Sequence, residues 1–399
     1  MRIEIKKMKD DRRKEANQMT KTNEETLLFT RVNKDTQALP ISIEDWEKKA
    51  REVLPDGPFD YVAGGSGAEE TLVENRTAFS RWAIIPRMMR DVTNRTLGIS
   101  MYNQALRTPI FLAPVGMQTI SHPDGELASA KAAAAAGVPF VASTVSAHSL
   151  EQIAEVMGDA YRWFQLYWSN DREVSASMVR RAEKSGYSAI VLTVDTVMLG
   201  WKRRDFRNGY SPLREGRGLA NYLTDPVFCS RLPEVTPENA VEEVLKNIYH
   251  PALNWNDIAF LREHTRLPIL VKGILHPDDA RLALEHGVDG IIVSNHGGRQ
   301  MDGAISTLDA LPAIAEVVAG KIPVLLDSGV RTGADVVKAI ALGADAILIG
   351  RPFLYGLAVA GEQGVASVLD TLIHEFDVAM ALSGSNSVAD LNRSILARL

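Results

Sequence analysis

The sequence predicts an α/β protein, a (β/α)8 (TIM) barrel, and three observations carry that expectation. From about residue 108, short runs rich in Val, Ile and Leu alternate with helical patterns, as parallel strands covered on both faces require. There are eight such runs, where an open doubly wound sheet usually has fewer. Several share one punctuation: Gly137-Val138-Pro139, Gly287-Val288-Asp289 and Gly343-Ala344-Asp345 each close a helix with glycine and lead into a strand.

Taken in order, residues 1–39 read as a flexible arm, and residues 40–399 as one barrel domain. The first 22 residues hold eight Lys/Arg against four Asp/Glu, with no apolar stretch of the kind a secretory signal needs. A helical segment comes before the barrel, with a helix at Ile43–Leu54 that Asp56-Gly57-Pro58 is expected to terminate. The expected strands are Ile110–Ala113, Phe140–Ser143, Tyr161–Leu166, Ala189–Val194, Ile269–Lys272, Gly290–Ser294, Pro323–Asp327 and Ala346–Gly350. Between the fourth and fifth, residues 197–254 exceed any ordinary loop. Trp201, Phe206, Tyr210, Tyr222 and Phe228 are spread through them and favour a packed lid. A helix over Phe353–Leu382, ended by Ser383-Gly384, closes the pattern, and no second domain with its own core is visible.

Composition narrows the function. With 46% hydrophobic and 24% charged residues the chain can bury a large core. A net charge of −6 gives no general attraction to nucleic acid or anionic membrane. No apolar run approaches the roughly 18–20 residues that span a bilayer. The lone Cys229 excludes an internal disulfide and fits a cytoplasmic location.

In such a barrel the residues just past the C-terminal ends of the strands form the active site. Polar residues concentrate there: Gln165-Leu166-Tyr167, Thr193-Val194-Asp195, Lys272-Gly273, Ser294-Asn295-His296-Gly297-Gly298-Arg299, Asp327-Ser328-Gly329-Val330-Arg331 and Gly350-Arg351. Any one of them is compatible with a structural cap. Their coincidence at one rim is not explained by core packing. The last two loops read as a phosphate site: Gly329, Gly333 and Gly350 let backbone N–H groups approach an anion, and Arg331 and Arg351 add charge. His296 is the candidate general base, oriented by Asp195 if the carboxylate lies beside the ring. Arg299 suits a bidentate carboxylate clamp. Lys272 can place positive charge beside an electron-accepting ring and stabilise its anionic reduced form, or act as the Schiff-base lysine of an aldolase. No metal site is expected.

At these residues the sequence resembles the FMN-dependent L-2-hydroxy acid oxidising family over roughly residues 40–395. The matching segments are Ser-Asn-His-Gly-Gly-Arg-Gln (294–300), Leu-Val-Lys-Gly (270–273), Phe-Gln-Leu-Tyr (164–167), Leu-Thr-Val-Asp-Thr (192–196) and Ile-Gly-Arg-Pro (349–352). The resemblance implies FMN as cofactor, a small 2-hydroxy acid and O2 as substrates, and a homotetramer or homo-octamer. It also implies that Tyr61, with Arg299, holds the substrate carboxylate, and that Tyr167 sits over the substrate hydroxyl. Ala113, Pro114, Val115 and Gly116 would pack against the flavin, Gly116 beside N5. Ser143, Gln165, Thr193, Lys272 and Ser294 would contact its ring, and Asp327, Gly329, Arg331, Gly350 and Arg351 its ribityl phosphate end.

Two departures stand out. Lys202 takes the place of a carboxylate-binding arginine in many relatives, with Arg203 or Arg204 as alternatives, and Val145 replaces a bulky aromatic. Within the family, residues 199–228, the Tyr-Val-Ala-Gly-Gly segment (61–65) and Gly116 look most like lactate 2-monooxygenase. The leading expectation is therefore oxidative decarboxylation of L-lactate to acetate, CO2 and water. An oxidase releasing pyruvate and H2O2, or a dehydrogenase with another acceptor, follows it. A Schiff-base aldolase on Lys272, a flavin-barrel isomerase and a non-catalytic phosphate-ligand barrel are the readings from other classes.

Overall fold

The computed structural model describes residues 39–399. Helix α1 (Ile43–Val53) is capped by Ser42, whose side chain accepts the Asp45 N–H, and it buries Ile43, Trp46 and Ala50. Asp56-Gly57-Pro58 is a start where a stop was expected: α1 ends at Val53, and after Leu54 and Pro55 these residues open α2 (Asp56–Ala63). Proline is tolerated there because the N–H groups of a first helical turn have no partner within the helix. After α3 (Glu70–Ser80), β1 (Trp82–Ile84) pairs antiparallel with Leu396–Arg398 near the end of the chain, so both ends of the domain are tied together. The hairpin β2 (Ile99–Met101) and β3 (Gln104–Leu106) follows; Met101 and Leu106 pack into the same apolar cluster as the barrel residues Phe111, Trp163 and Leu270.

All eight expected strands form, within one or two residues of their expected bounds. They are β4 (Ile110–Leu112), β5 (Phe140–Ala142), β6 (Arg162–Tyr167), β7 (Ile190–Thr193), β8 (Ile269–Ile274), β9 (Gly290–Val293), β10 (Val324–Leu326) and β11 (Ala346–Ile349). Each pairs parallel with its neighbours, and β11 returns to β4 to close the barrel. The apolar runs are explained by burial: Phe111, Val141, Val191, Leu270, Ile292, Leu325 and Ala346 are fully buried inside one cluster. The glycine punctuation also holds, since Gly137, Gly287 and Gly343 have φ of 66°, 67° and 112°, which side-chain-bearing residues rarely adopt.

The outer helices follow their strands: α4 (Gly125–Ala136), α5 (Leu150–Met157) and α6 (Arg172–Lys184) in the first half. After β7 the chain makes its long excursion through α7 (Arg203–Asn208), α8 (Ala220–Leu223), α9 (Pro226–Cys229) and α10 (Pro237–Asn247) before α11 (Asp257–His264). The two halves of this excursion differ. Tyr222 and Phe228 are buried, and Asp225, fully buried, accepts from Ser177 at 2.7 Å and from Arg181 at 3.1 Å. That half is rooted on α6. Trp201 and Phe206, by contrast, are 68% and 54% exposed and pack on each other. α12 (Pro277–Glu285), α13 (Thr307–Val318) and α14 (Gly333–Ala341) complete the ring with α15 (Arg351–Ser383), which is broken at Ala360-Gly361 where one unbroken helix was expected. Among the described residues no helix is long and apolar enough to cross a membrane.

Candidate active site

The C-terminal ends of the strands carry the polar residues, as barrel geometry requires. His296 follows β9 in a stretch where His296, Gly297 and Gly298 have φ of 57°, 66° and 72°. Left-handed backbone at a histidine is uncommon and signals a loop held by its surroundings. The Ser294 hydroxyl accepts the His296 N–H at 3.0 Å, and the Asn295 side chain accepts the Gly298 N–H at 3.1 Å.

The imidazole meets Asp195 from the end of β7: Nδ1 lies 2.8 Å from Oδ1. Thr196 adds a donor to the same carboxylate oxygen at 2.9 Å. Burial acts against the Asp195 charge, but His296, Lys272 and Thr196 outweigh it and hold the carboxyl below its usual range. Burial likewise pulls the His296 imidazolium down; Asp195 opposes this, while Lys272 and Arg299 add to it. A neutral imidazole beside a carboxylate keeps its proton on Nδ1 and presents Nε2 as the base. That Nε2 faces the Tyr167 hydroxyl at 3.5 Å. Burial pushes the Tyr167 phenol up, so it stays protonated.

Lys272, at the end of β8, is buried between Asp327 (3.0 Å) and Ser294 (2.8 Å). Burial works against its ammonium, yet Asp327 and Asp195 prevail and raise its pKa. A Schiff-base lysine needs the opposite shift, so this geometry argues against the aldolase reading.

Two cavities meet at His296. The inner one encloses about 990 Å³ of empty space, its open mouth included, and runs from Gly116 and Lys272 to Arg331 and Arg351. The outer one, about 1620 Å³ on the same measure, lies under the excursion and is walled by Lys202, Tyr210, Leu213 and Tyr249. Tyr61, Met117, Val145, Tyr167, His296 and Arg299 line both. At that junction the Arg299 guanidinium lies 4.8 Å from the Tyr61 ring and the Lys202 ammonium 5.8 Å from it. Arg299 is partly committed, since Nη1 donates to the carbonyls of Tyr61 and Gly64. Of the alternatives to Lys202, Arg204 is engaged by Glu69 and Asp60, and it is Lys202 that lines the outer cavity.

The inner cavity has the chemistry of a nucleotide-like site. Burial lowers the pKa of both Arg331 and Arg351, leaving two guanidinium groups whose charge an anion would compensate. Pro114, Val115, Gly116, Lys272, Asp327, Gly329 and Gly350 line the same wall. One expectation is corrected here: the Gly333 N–H is taken by the Glu375 carboxylate at 2.9 Å, and a Cβ at Gly333 would collide with the Glu375 backbone at 2.1 Å. Gly333 permits helix packing and leaves no amide for an anion. Ser143, Gln165 and Thr193 lie behind the wall in a row, Ser143 donating to Gln165 at 3.1 Å and Gln165 to Thr193 at 3.0 Å. Ser294 sits beneath, accepting from Lys272.

Residues 50–398 match the family model described as FMN-dependent dehydrogenase. The chain belongs to the FMN-dependent dehydrogenase family. It is 50% identical over 380 residues to an L-lactate oxidase of Lysinibacillus sphaericus, covering 95% of this chain and 98% of that protein. It is 44% identical over 356 residues to human 2-hydroxyacid oxidase 1, covering 89% and 96%. A crystal structure of mandelate oxidase with (S)-4-hydroxymandelic acid superposes with a TM-score of 0.81 at 44% identity, over 90% of this chain and 98% of that one. The chain is thus an FMN-dependent oxidoreductase, and the buried Arg331 and Arg351 guanidinium groups, with Lys272, suit an anionic cofactor.

Sequence reading missed several supporting residues. Thr196, which donates to Asp195, and Ser328, which accepts the Gly297 N–H at 2.9 Å, carry no signal of their own within their segments. Asn221, on α8, donates to the carbonyls of Ser143 (3.1 Å) and Thr144 (3.0 Å). Only its place in the long excursion pointed towards the site.

Proposed function

We propose that this FMN-dependent dehydrogenase family member oxidises L-lactate with O2, releasing pyruvate and H2O2. The observation that carries the reading is the junction of the two cavities. A neutral His296 and a protonated Tyr167 line it together with Arg299 and Lys202. L-Lactate is chosen because the relatives with 50% and 45% identity are L-lactate oxidases.

The chemistry follows from the side chains. Arg299, Lys202 and Tyr61 bind the substrate carboxylate and so fix the C2 hydroxyl towards Tyr167 and His296. His296 Nε2 takes a proton from the substrate, and Asp195 stabilises the imidazolium that results. Lys272 holds positive charge on the inner-cavity wall, and Arg331 and Arg351 would hold the phosphate end of FMN. FMN bound there would supply the two-electron redox chemistry between C2 of the substrate and O2. Met117 and Val145 give the junction its apolar wall.

The outer cavity, which meets the junction at His296, gives the keto acid a way out. Oxidative decarboxylation to acetate, CO2 and water is the second reading, favoured by the excursion over that cavity, with Tyr210 and Leu213 in its wall acting as part of a lid. One assay separates the two: follow oxygen uptake, H2O2, pyruvate and acetate after adding L-lactate. Equal pyruvate and H2O2 support the first reading. Acetate without H2O2 overturns it in favour of the second, and no oxygen uptake with L-lactate removes both.

A further inference from the structure

We propose that Asn75, on α3, is a positioning residue for His296 and acts through Asn295; the inference rests on His296 being the base. The two side chains, 2% and 4% exposed, form a reciprocal carboxamide pair. The Asn75 amide donates to Asn295 Oδ1 at 2.9 Å, and the Asn295 amide donates to Asn75 Oδ1 at 2.7 Å. The orientation of the pair is fixed from outside, because Asn295 Oδ1 also accepts the Gly298 N–H at 3.1 Å and its amide also donates to the Ile305 carbonyl at 3.2 Å. Turning either carboxamide over would set like groups against each other at both contacts.

This pair brackets the catalytic residue. Asn295 precedes His296, and its side chain spans to Gly298, so it holds the three-residue left-handed stretch by both ends. Left alone, a histidine at φ 57° would relax towards ordinary backbone and swing its ring away from Asp195. α3 supplies the outside reference for that conformation. The same residue touches the neighbouring loop: a Cβ at Gly329 would lie 2.2 Å from the Asn75 carbonyl oxygen. Asn75 therefore sets the base loop against the loop that carries Gly329 and Arg331.

The test uses full-length, FMN-loaded protein mixed anaerobically with L-lactate, reading the limiting rate of flavin bleaching and the apparent substrate dissociation constant. For Asn75→Ala the limiting rate is expected to fall roughly 10- to 100-fold, as for a reacting group displaced by about 1 Å. FMN occupancy, reoxidation by O2 and the dissociation constant should change less than about threefold, since Asn75→Ala keeps the backbone carbonyl that meets Gly329 and Arg299 stays braced by the Tyr61 and Gly64 carbonyls. Asn295→Ala should show the same loss, and the double variant should be no slower than the slower single one. If Asn75→Ala does not fold, the isosteric Asn75→Asp decides, since it sets an oxygen against Asn295 Oδ1 without opening a cavity. A lowered melting temperature with a limiting rate within about twofold of the parent means a structural role only and overturns the proposal, as do additive losses in the double variant. A parent protein that no 2-hydroxy acid bleaches overturns the functional reading itself. A His296→Ala variant that bleaches at the parental rate overturns the base assignment, and the proposal with it.

Discussion

Lys272 and Asp327 form a buried ion pair, 3.0 Å from ammonium to carboxylate, on the wall of the inner cavity. Because the pair keeps the lysine protonated, Lys272 is an electrostatic group and not a nucleophile. Three outcomes are expected. Borohydride added with pyruvate should leave the mass of the protein unchanged. Lys272→Met should slow flavin bleaching by roughly 10²-fold, the usual effect of removing one preorganised positive or donor group. It should also lower the melting temperature, since Asp327 is left buried without its cation. A borohydride-trapped adduct on Lys272 would revive the aldolase reading.

Asp195 gives His296 both its orientation and its tautomer. Asp195→Asn is expected to keep FMN bound while bleaching falls by roughly 10²- to 10⁴-fold, the range that general-base catalysis contributes. In the parent, the acid limb of kcat/KM should report His296. Burial depresses its pKa, so the active neutral form persists below the ordinary histidine value, and activity is lost only as pH falls through the depressed one. Folding follows the same sign: a histidine buried neutral contributes stability above its unfolded pKa and loses it on acidification. An acid limb set above the ordinary histidine value would contradict this arrangement.

The barrel was legible because each strand is a run of residues buried on both faces, a pattern local to four to six positions. The site was legible because its polar residues stand at strand ends, where core packing gives them no reason to be. What escaped was pairing between distant segments. Asn75 and Asn295 are 220 positions apart, and neither residue type advertises a partner at that range. Arg299 read as a free clamp, yet it is also a brace for the Tyr61 and Gly64 carbonyls, which only the fold brings near. Asp56-Gly57-Pro58 misled for a local reason, since the same residues suit a turn and the first turn of a helix.

Arg331 separates phosphate recognition from the rest of the cofactor. Its guanidinium is buried in the inner cavity and donates to the Val330 carbonyl at 2.9 Å. Arg331→Met should weaken FMN binding by roughly 10- to 100-fold, the range of one charge-assisted hydrogen bond, and leave riboflavin binding nearly unchanged. Fluorescence titration of the apoprotein with each ligand measures both. Equal losses for FMN and riboflavin would mean that Arg331 shapes the cavity without reading the phosphate.

Lys202 lines the outer cavity beside Arg299, and its burial there has a pH consequence. Burial and the neighbouring Arg299 charge pull its ammonium down to about 7, with Asp205 opposing. Below that value Lys202 is charged and attracts the substrate carboxylate; above it the charge is lost. The KM for L-lactate should therefore rise with pH through about 7, while kcat changes little over the same interval. Lys202→Arg restores a cation that does not titrate in this range, so its KM should stay flat. Lys202→Met should hold KM roughly tenfold high at every pH, since one charge-assisted contact is gone throughout. Steady-state kinetics of the three proteins between pH 5.5 and about 9 make the comparison, a range that brackets the ordinary histidine and α-amino values as well. A parental KM independent of pH, with Lys202→Met unaffected, would show that the carboxylate is held by Arg299 and Tyr61 alone.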